Sequence, residues 1–110
     1  MSLSDQQYEF AKDVNKLFIY LIDNGYKFTI GEVLRTKEQQ AIYLKSGKSK
    51  TANSKHLDKL AIDLNIFINN SLSYDAEKLK DIGNYWISLS PINVWGGSWG
   101  WDAGHFQRGK

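Results

Sequence analysis

Two histidines, His56 and His105, and one aspartate, Asp63, form the most chemically suggestive set in the chain. His56 stands in a polar stretch just ahead of an alternating segment, Leu60 to Phe67. Asp63 falls inside that segment, on the side away from its apolar residues. Aspartate is depleted in strands, and a buried carboxylate needs a partner. Ala61, its neighbour on the same side, is small and leaves room above a sheet. Imidazole and carboxylate from separate segments make a sensible catalytic zinc site, in which three protein ligands leave one position for water. The pKa of that water falls toward about 7, which generates a nucleophile. Asp102, three residues before His105, is then placed to take the proton and pass it to a leaving amine. Arg35 ends another alternating segment, where a fixed guanidinium stabilises an oxyanion or grips a carboxylate. Each residue also has a plainer explanation. His56 is then an exposed loop residue, Asp63 an edge-strand charge and Asp102 a turn former, while Arg35 caps a helix or pairs with Glu38. Spacing alone leaves both sets of explanations open.

The elements that must position these residues follow from periodicity and capping. Ser4 to Gln7 reads as a capping box, and Phe10, Val14, Leu17, Phe18, Leu21 and Ile22 keep helical spacing, so a first helix is predicted over Asp5 to Asp23. Lys27 to Leu34 alternates, with Phe28, Ile30 and Leu34 on the face to be buried and Thr29, Gly31, Val33 and Arg35 on the other. Thr36 to Gln39 is a second capping box, so a short helix runs to about Ser46 and stops at Gly47. Lys48 to Leu57 is polar and is predicted as loop. Leu60 to Phe67 is the clearest strand, with Leu60, Ile62, Leu64 and Ile66 facing one way and Ala61, Asp63, Asn65 and Phe67 the other. Asn69-Asn70 marks a turn, a third helix spans Asp75 to Leu89 before Pro91, and Asn93 to Gln107 holds two short strands. The expected fold class is α+β, a small, mostly antiparallel sheet covered by about three helices.

Composition bounds the function classes. A chain of 110 residues is one domain, residues 1–110. The longest apolar run, Leu17 to Ile22, is six residues, far short of the roughly 20 that cross a bilayer, so no membrane insertion is expected. Met1 to Phe10 lacks the basic start and apolar stretch of a secretory signal, so the chain is expected to be cytoplasmic on synthesis. The absence of Cys excludes disulfides, thiol catalysis and Cys-ligated metal. A net charge of +2 is too weak for a nucleic-acid binder. Lysines 45, 48, 50, 55 and 59 nevertheless cluster, either as a solvated loop or as a rim that attracts an anionic substrate. Of the four tryptophans, Trp86 fits the third helix's apolar stripe. Trp95, Trp99 and Trp101 flank the candidate site, as core filling or as a cleft wall that stacks on sugar or peptide.

Ser54-Lys55-His56-Leu57-Asp58-Lys59-Leu60-Ala61-Ile62-Asp63 resembles the Ser-x-His-(x)6-Asp motif of the D-alanyl-D-alanine carboxypeptidase (VanY-like) family of zinc peptidases, which includes phage L-alanyl-D-glutamate endopeptidase endolysins. Asp102 to His105 resembles the second motif, an acidic residue three before a His, and Trp95-Gly96-Gly97 its approach. Arg35 to Gln40 resembles the upstream arginine and the Gln-bearing helix that follows it. The resemblance runs in order over residues 28 to 107. It implies one Zn2+ on His56, Asp63 and His105, with Asp102 as general base and Arg35 holding the scissile carbonyl or its oxyanion. Ser54, the motif serine, supports His56 or touches substrate, and Gln40, Trp95 and Trp99 are the further candidates for substrate contact. The implied fold is the small α+β fold shared with the hedgehog signalling domain. Lys59 stands where the commoner motif has Gly, which marks a subfamily or a changed turn.

The resemblance implies a monomeric peptidase whose partner is the peptidoglycan stem peptide. With no wall-binding module or export signal in view, an L-alanyl-D-glutamate endopeptidase is favoured, reaching the cell wall or a host periplasm after release. A D-alanyl-D-alanine carboxypeptidase is the alternative within the class. A non-catalytic module that binds wall or peptide is the alternative outside it, since fold does not fix function.

Overall fold

Ser2 starts the first helix, α1 (Leu3–Asp23), with its Oγ accepting the Asp5 N–H at 3.1 Å and its own N–H donating to Asp5 Oδ2 at 3.3 Å. The cap is therefore two residues earlier than the expected Ser4–Gln7 box. Gln7 is used elsewhere, its Nε2 donating to the Asp58 carbonyl at 2.8 Å. The computed structural model describes residues 1–49 and 54–110. The remaining elements are β1 (Lys27–Ile30), α2 (Lys37–Ser46), β2 (Ala61–Ile68), β3 (Ser71–Ser73), α3 (Lys80–Leu89), β4 (Asn93–Trp95) and β5 (His105–Arg108), with 3₁₀ turns at Lys55–Asp58 and Gly96–Trp99. Part of the expected loop after Gly47 is thus the first of these turns, and residues 50–53, Lys50 included, lie outside the described residues.

All pairings are antiparallel, in the order β1-β2-β5-β4 with β3 also on β2. The fold class is the expected α+β. Asn69 and Asn70 both take positive φ, 52° and 66°, and form the two-residue turn that folds β3 back on β2. The composition of residues 71–73 gave no sign of this strand. One face of the sheet is apolar. Ile62, Leu64 and Ile66 of β2 and Phe106 of β5 pack there against Phe10, Leu17 and Leu21 of α1 and Ile82 and Trp86 of α3. Helix α2 contributes nothing to this core. Its one buried side chain is Gln40, and Ile42 and Leu44 are exposed. No helix among the described residues is long and apolar enough to cross a membrane.

The segment after β1 departs from simple alternation. Gly31 N–H donates to the Asp63 carbonyl at 2.7 Å, and Asp63 N–H donates to the Glu32 carbonyl at 2.9 Å. Two residues thus oppose one, which is a bulge, and the side-chain alternation shifts by one place. Val33 therefore packs against the core, where unbroken alternation would have put it on the opposite face, while Leu34 is exposed rather than buried. Ile30, ahead of the bulge and in register with Leu64, is also exposed rather than buried, at the end of β1. Glycine is required at the bulge because a side chain on Gly31 would press on the Asp63 backbone. Helix α3 also begins later than expected. Residues 76–79 form turns headed by Asp75, whose Oδ1 accepts the Glu77 N–H at 2.9 Å.

Lys59 ends the Lys55–Asp58 turn in the left-handed region, at φ 55° and ψ 39°. A lysine in this conformation, which glycine adopts freely, costs about 1 kcal/mol of backbone strain. Lys59→Gly is expected to stabilise the protein by about that amount and raise the Tm by roughly 4–8 °C. Thermal unfolding of the two proteins is the check, and an unchanged or lower Tm contradicts the assignment.

Candidate active site

The open face of β2 carries the site. The Lys55–Asp58 turn delivers His56 to it. Ser54 caps that turn, its Oγ accepting the His56 N–H at 3.2 Å, and the imidazole is fully buried. His56 Nδ1 lies 2.9 Å from the Val33 carbonyl. A carbonyl only accepts, so Nδ1 carries the proton and Nε2 the lone pair. That lone pair faces Asp63 Oδ2 at 3.2 Å and has no hydrogen-bond partner. The bulge matters here, because it turns the Val33 segment toward His56.

His105 stands directly opposite Asp63 in the β2–β5 register, so both side chains share one face. Its Nδ1 is 3.0 Å from Asp63 Oδ1, and its Nε2 is 2.7 Å from Gln107 Oε1. One ring nitrogen of each histidine is thus engaged outside the cluster, and the other points at the same carboxylate. Potential ligand atoms of His56, Asp63 and His105 all lie within 4.8 Å of one another. A buried imidazole lone pair set against a carboxylate oxygen is unfavourable unless a proton or a cation lies between them. The donor set of two imidazoles and one carboxylate suits a divalent metal, so the residues present fit the ion that the motif implies.

The electrostatics follow from the crowding. Burial pushes the Asp63 carboxyl up, but the two imidazoles that face it, His105 and His56, outweigh this and hold the group well below the usual carboxylate range. Burial pulls His105 down, and the hydrogen bonds to Asp63 and Gln107 overcome this and raise it. Asp102 lies at the turn into β5, its Oδ2 3.8 Å from His105 Nδ1. Burial pushes its carboxyl up; His105 opposes the shift and Asp63 adds to it.

Arg35 is clamped rather than free. Its Nε pairs with Glu32, Nη1 donates to Gln40 Oε1 at 2.6 Å and to Ser54 Oγ at 3.3 Å, and the guanidinium lies 4.7 Å from the centre of the Tyr43 ring. Nη2 reaches 3.9 Å from Asp63 Oδ2. The partner is Glu32 and not Glu38, because the bulge brings Glu32 to this face. Glu32 and Tyr43 were not singled out from the sequence, although Tyr43 is three residues after Gln40 and so shares its side of α2. Tyr43 Oη donates to Glu32 Oε2 at 3.3 Å, which ties the clamp together.

Arg35, Ser54, His56, Asp63, Asp102 and His105 line one cleft of about 610 Å³, with Lys48, Lys55 and Lys110 at its rim. The lysine cluster therefore divides, since Lys59 borders a separate groove with Phe10, Val14 and Ile62. Trp99 lines the cleft, 45% exposed, with its ring 5.3 Å from that of His105. Two expected substrate contacts lie elsewhere. Trp95 is only 5% exposed, in the core, with its Nε1 donating to the Ala103 carbonyl at 2.8 Å and its ring filling the space left by Gly83 and Gly97. Gln40 is buried and holds Arg35, its Nε2 donating to Ser49 Oγ at 2.8 Å. The Trp-Gly-Gly stretch is thus a structural device. A side chain on Gly96 would collide with the Asp102 carbonyl, so glycine there lets the Asp102–His105 turn close.

The sequence matches the profile of the phage L-alanyl-D-glutamate peptidase family over residues 4–106. The chain belongs to this family. An L-alanyl-D-glutamate peptidase of Listeria phage A118 is 34% identical over 86 residues, covering 76% of this chain and 30% of that relative's length. The crystal structure of the Serratia marcescens L-Ala D-Glu endopeptidase ChiX matches with a TM-score of 0.61 and 28% identity, over 74% of this chain and 65% of that one. The shared α+β fold carries the family's ordered motifs, which here bring Arg35, His56, Asp63, Asp102 and His105 to one cleft.

A metal binding at this cluster competes with protons for His105, whose bonds to Asp63 and Gln107 shift its titration upward. The apparent affinity for zinc is therefore expected to climb with pH through and above the ordinary histidine value of 6.5, with protons released on binding. Calorimetric titration in buffers of different ionisation enthalpy measures both. An affinity that does not change with pH contradicts the site.

Proposed function

We propose that this chain is a zinc-dependent peptidoglycan endopeptidase of the endolysin type, which hydrolyses the L-alanyl–D-glutamate bond of the stem peptide. The observation that carries this reading is the convergence of His56 Nε2, Asp63 and His105 Nδ1 beside a clamped guanidinium and a second carboxylate. Family membership and the activities for which the phage and Serratia relatives are named support the choice of bond. Residues 1–110 act in this reading as one monomeric peptidase domain, made in the cytoplasm and reaching the wall after release.

His56, Asp63 and His105 would hold the ion, which when bound supplies a Lewis acid that polarises the scissile carbonyl and makes water more acidic. Asp102 does the proton work. Its carboxyl, pushed up by burial, accepts a proton from the attacking water and returns it to the leaving amine. Arg35 is held with Nη2 turned toward the cluster and binds the carbonyl oxygen as it gains charge. Because Glu32, Gln40 and Ser54 fix the guanidinium beforehand, no reorganisation is needed at that step. Lys48, Lys55 and Lys110 give the cleft a cationic rim that suits an acidic stem peptide, and Trp99 forms a wall against which substrate can pack.

Mass spectrometry of purified peptidoglycan after incubation with the protein tests the reading. New D-Glu amino termini that disappear with a chelator are expected. Loss of terminal D-Ala alone would make the protein a carboxypeptidase, and wall binding without any product would make it a binding module. Two variants separate the roles: Asp63→Ala is expected to lose zinc and turnover together, and Asp102→Ala to keep zinc while kcat falls about 10²- to 10⁴-fold.

A further inference from the structure

Gln107 follows His105 by two residues on β5, so both side chains stand on the open face of the sheet, with Gln107 opposite Ala61. It is buried. The shape of an amide does not distinguish its two ends, but its hydrogen bonds do. Nε2 donates to the Gly109 carbonyl at 2.6 Å, which leaves Oε1 facing His105 Nε2 at 2.7 Å. An amide oxygen only accepts, so the His105 proton belongs on Nε2 and the lone pair on Nδ1, toward Asp63. Without that acceptor the neutral ring has a better alternative. Nδ1–H would donate to Asp63 Oδ1, 3.0 Å away, in a charge-assisted bond, and the proton would sit on the atom that must bind the metal.

We propose that Gln107 is a positioning residue that sets the His105 tautomer so that Nδ1 is the metal ligand. The Gly109 carbonyl is the fixed point of the relay. Gly109 N–H donates to the Ile92 carbonyl at 2.8 Å, and the residue sits at φ +83°, a conformation that glycine adopts without strain. The two histidines thus present opposite ring atoms for one reason: an outside acceptor holds each ring's proton on its other nitrogen. For His56 that acceptor is backbone and cannot be mutated away. For His105 it is a side chain and can be. The inference rests on the metal reading of the cluster, so its first readout is taken without metal.

Nitrogen-15 NMR of labelled histidines in the metal-free protein, at a pH where the ring is neutral, reads the tautomer directly. The wild type is expected as Nε2–H. Gln107→Met, which keeps the length and loses the amide, is expected as Nδ1–H, with zinc affinity in chelator competition lowered about 10- to 100-fold. Gln107→Glu keeps the acceptor and is expected to retain the Nε2–H form and most of the zinc affinity. A wild type already in the Nδ1–H form overturns the proposal. So does a folded Gln107→Met with unchanged tautomer and affinity, or a Gln107→Glu as impaired as Gln107→Met. The expected tautomers in a wild type that takes up no zinc overturn the metal reading instead, and with it the purpose assigned to the tautomer.

Discussion

A buried imidazole lone pair aimed at a carboxylate oxygen, with no proton between them, is the constraint on which the site depends. His56 Nε2 and Asp63 Oδ2 face each other in this way at 3.2 Å. An unsatisfied buried polar group costs about 1–3 kcal/mol, and a cation between the two atoms turns that cost into binding energy. The surrounding elements hold the arrangement against relaxation. The bulge at Gly31–Glu32 aims the Val33 carbonyl at His56 Nδ1, Ser54 caps the turn that carries the ring, and the β2–β5 register sets His105 opposite Asp63.

The two faces of the sheet divide stability from chemistry. Helices α1 and α3 cover the apolar face, and their contacts with β2 and β5 make the core. The opposite face is left for polar side chains, and α2 serves that face alone. Its Gln40 and Tyr43 immobilise Arg35 together with Glu32. A charged group meant to stabilise developing charge is most effective when it is oriented before the reaction, and this clamp does that. The tryptophan–glycine stretch before β5 plays the same part for Asp102. Trp95 anchors in the core and Gly96 makes room for the Asp102 turn, so the carboxylate is carried by packed structure rather than by a free loop.

Much of this was legible in the residues. The alternation of Leu60 to Phe67 put Asp63 opposite the apolar face, the Thr36 cap and Gly47 stop bounded α2, and the paired motifs named in order the three residues that cluster as a candidate metal site. The bulge was not legible, because it is a property of two strands and not of one; a single inserted residue reversed the faces assigned to Val33 and Leu34. The sequence offers Trp95 as a substrate contact because it flanks the site, and Gln40 because it lies on the helix that resembles the family's Gln-bearing one. Burial decided otherwise, and burial depends on what packs from a distance: Gly83 of α3 against Trp95, and Arg35 against Gln40. Gln107 carried no signal of its own, since a glutamine on a strand has many uses until its neighbours across the sheet are known.

Anomalous diffraction from zinc-loaded crystals tests the central claim most directly. A single strong peak is expected on the open face of β2, at about 2.0–2.2 Å from His56 Nε2, an Asp63 oxygen and His105 Nδ1. A peak elsewhere, or a cluster that stays empty while zinc binds the protein, would contradict it.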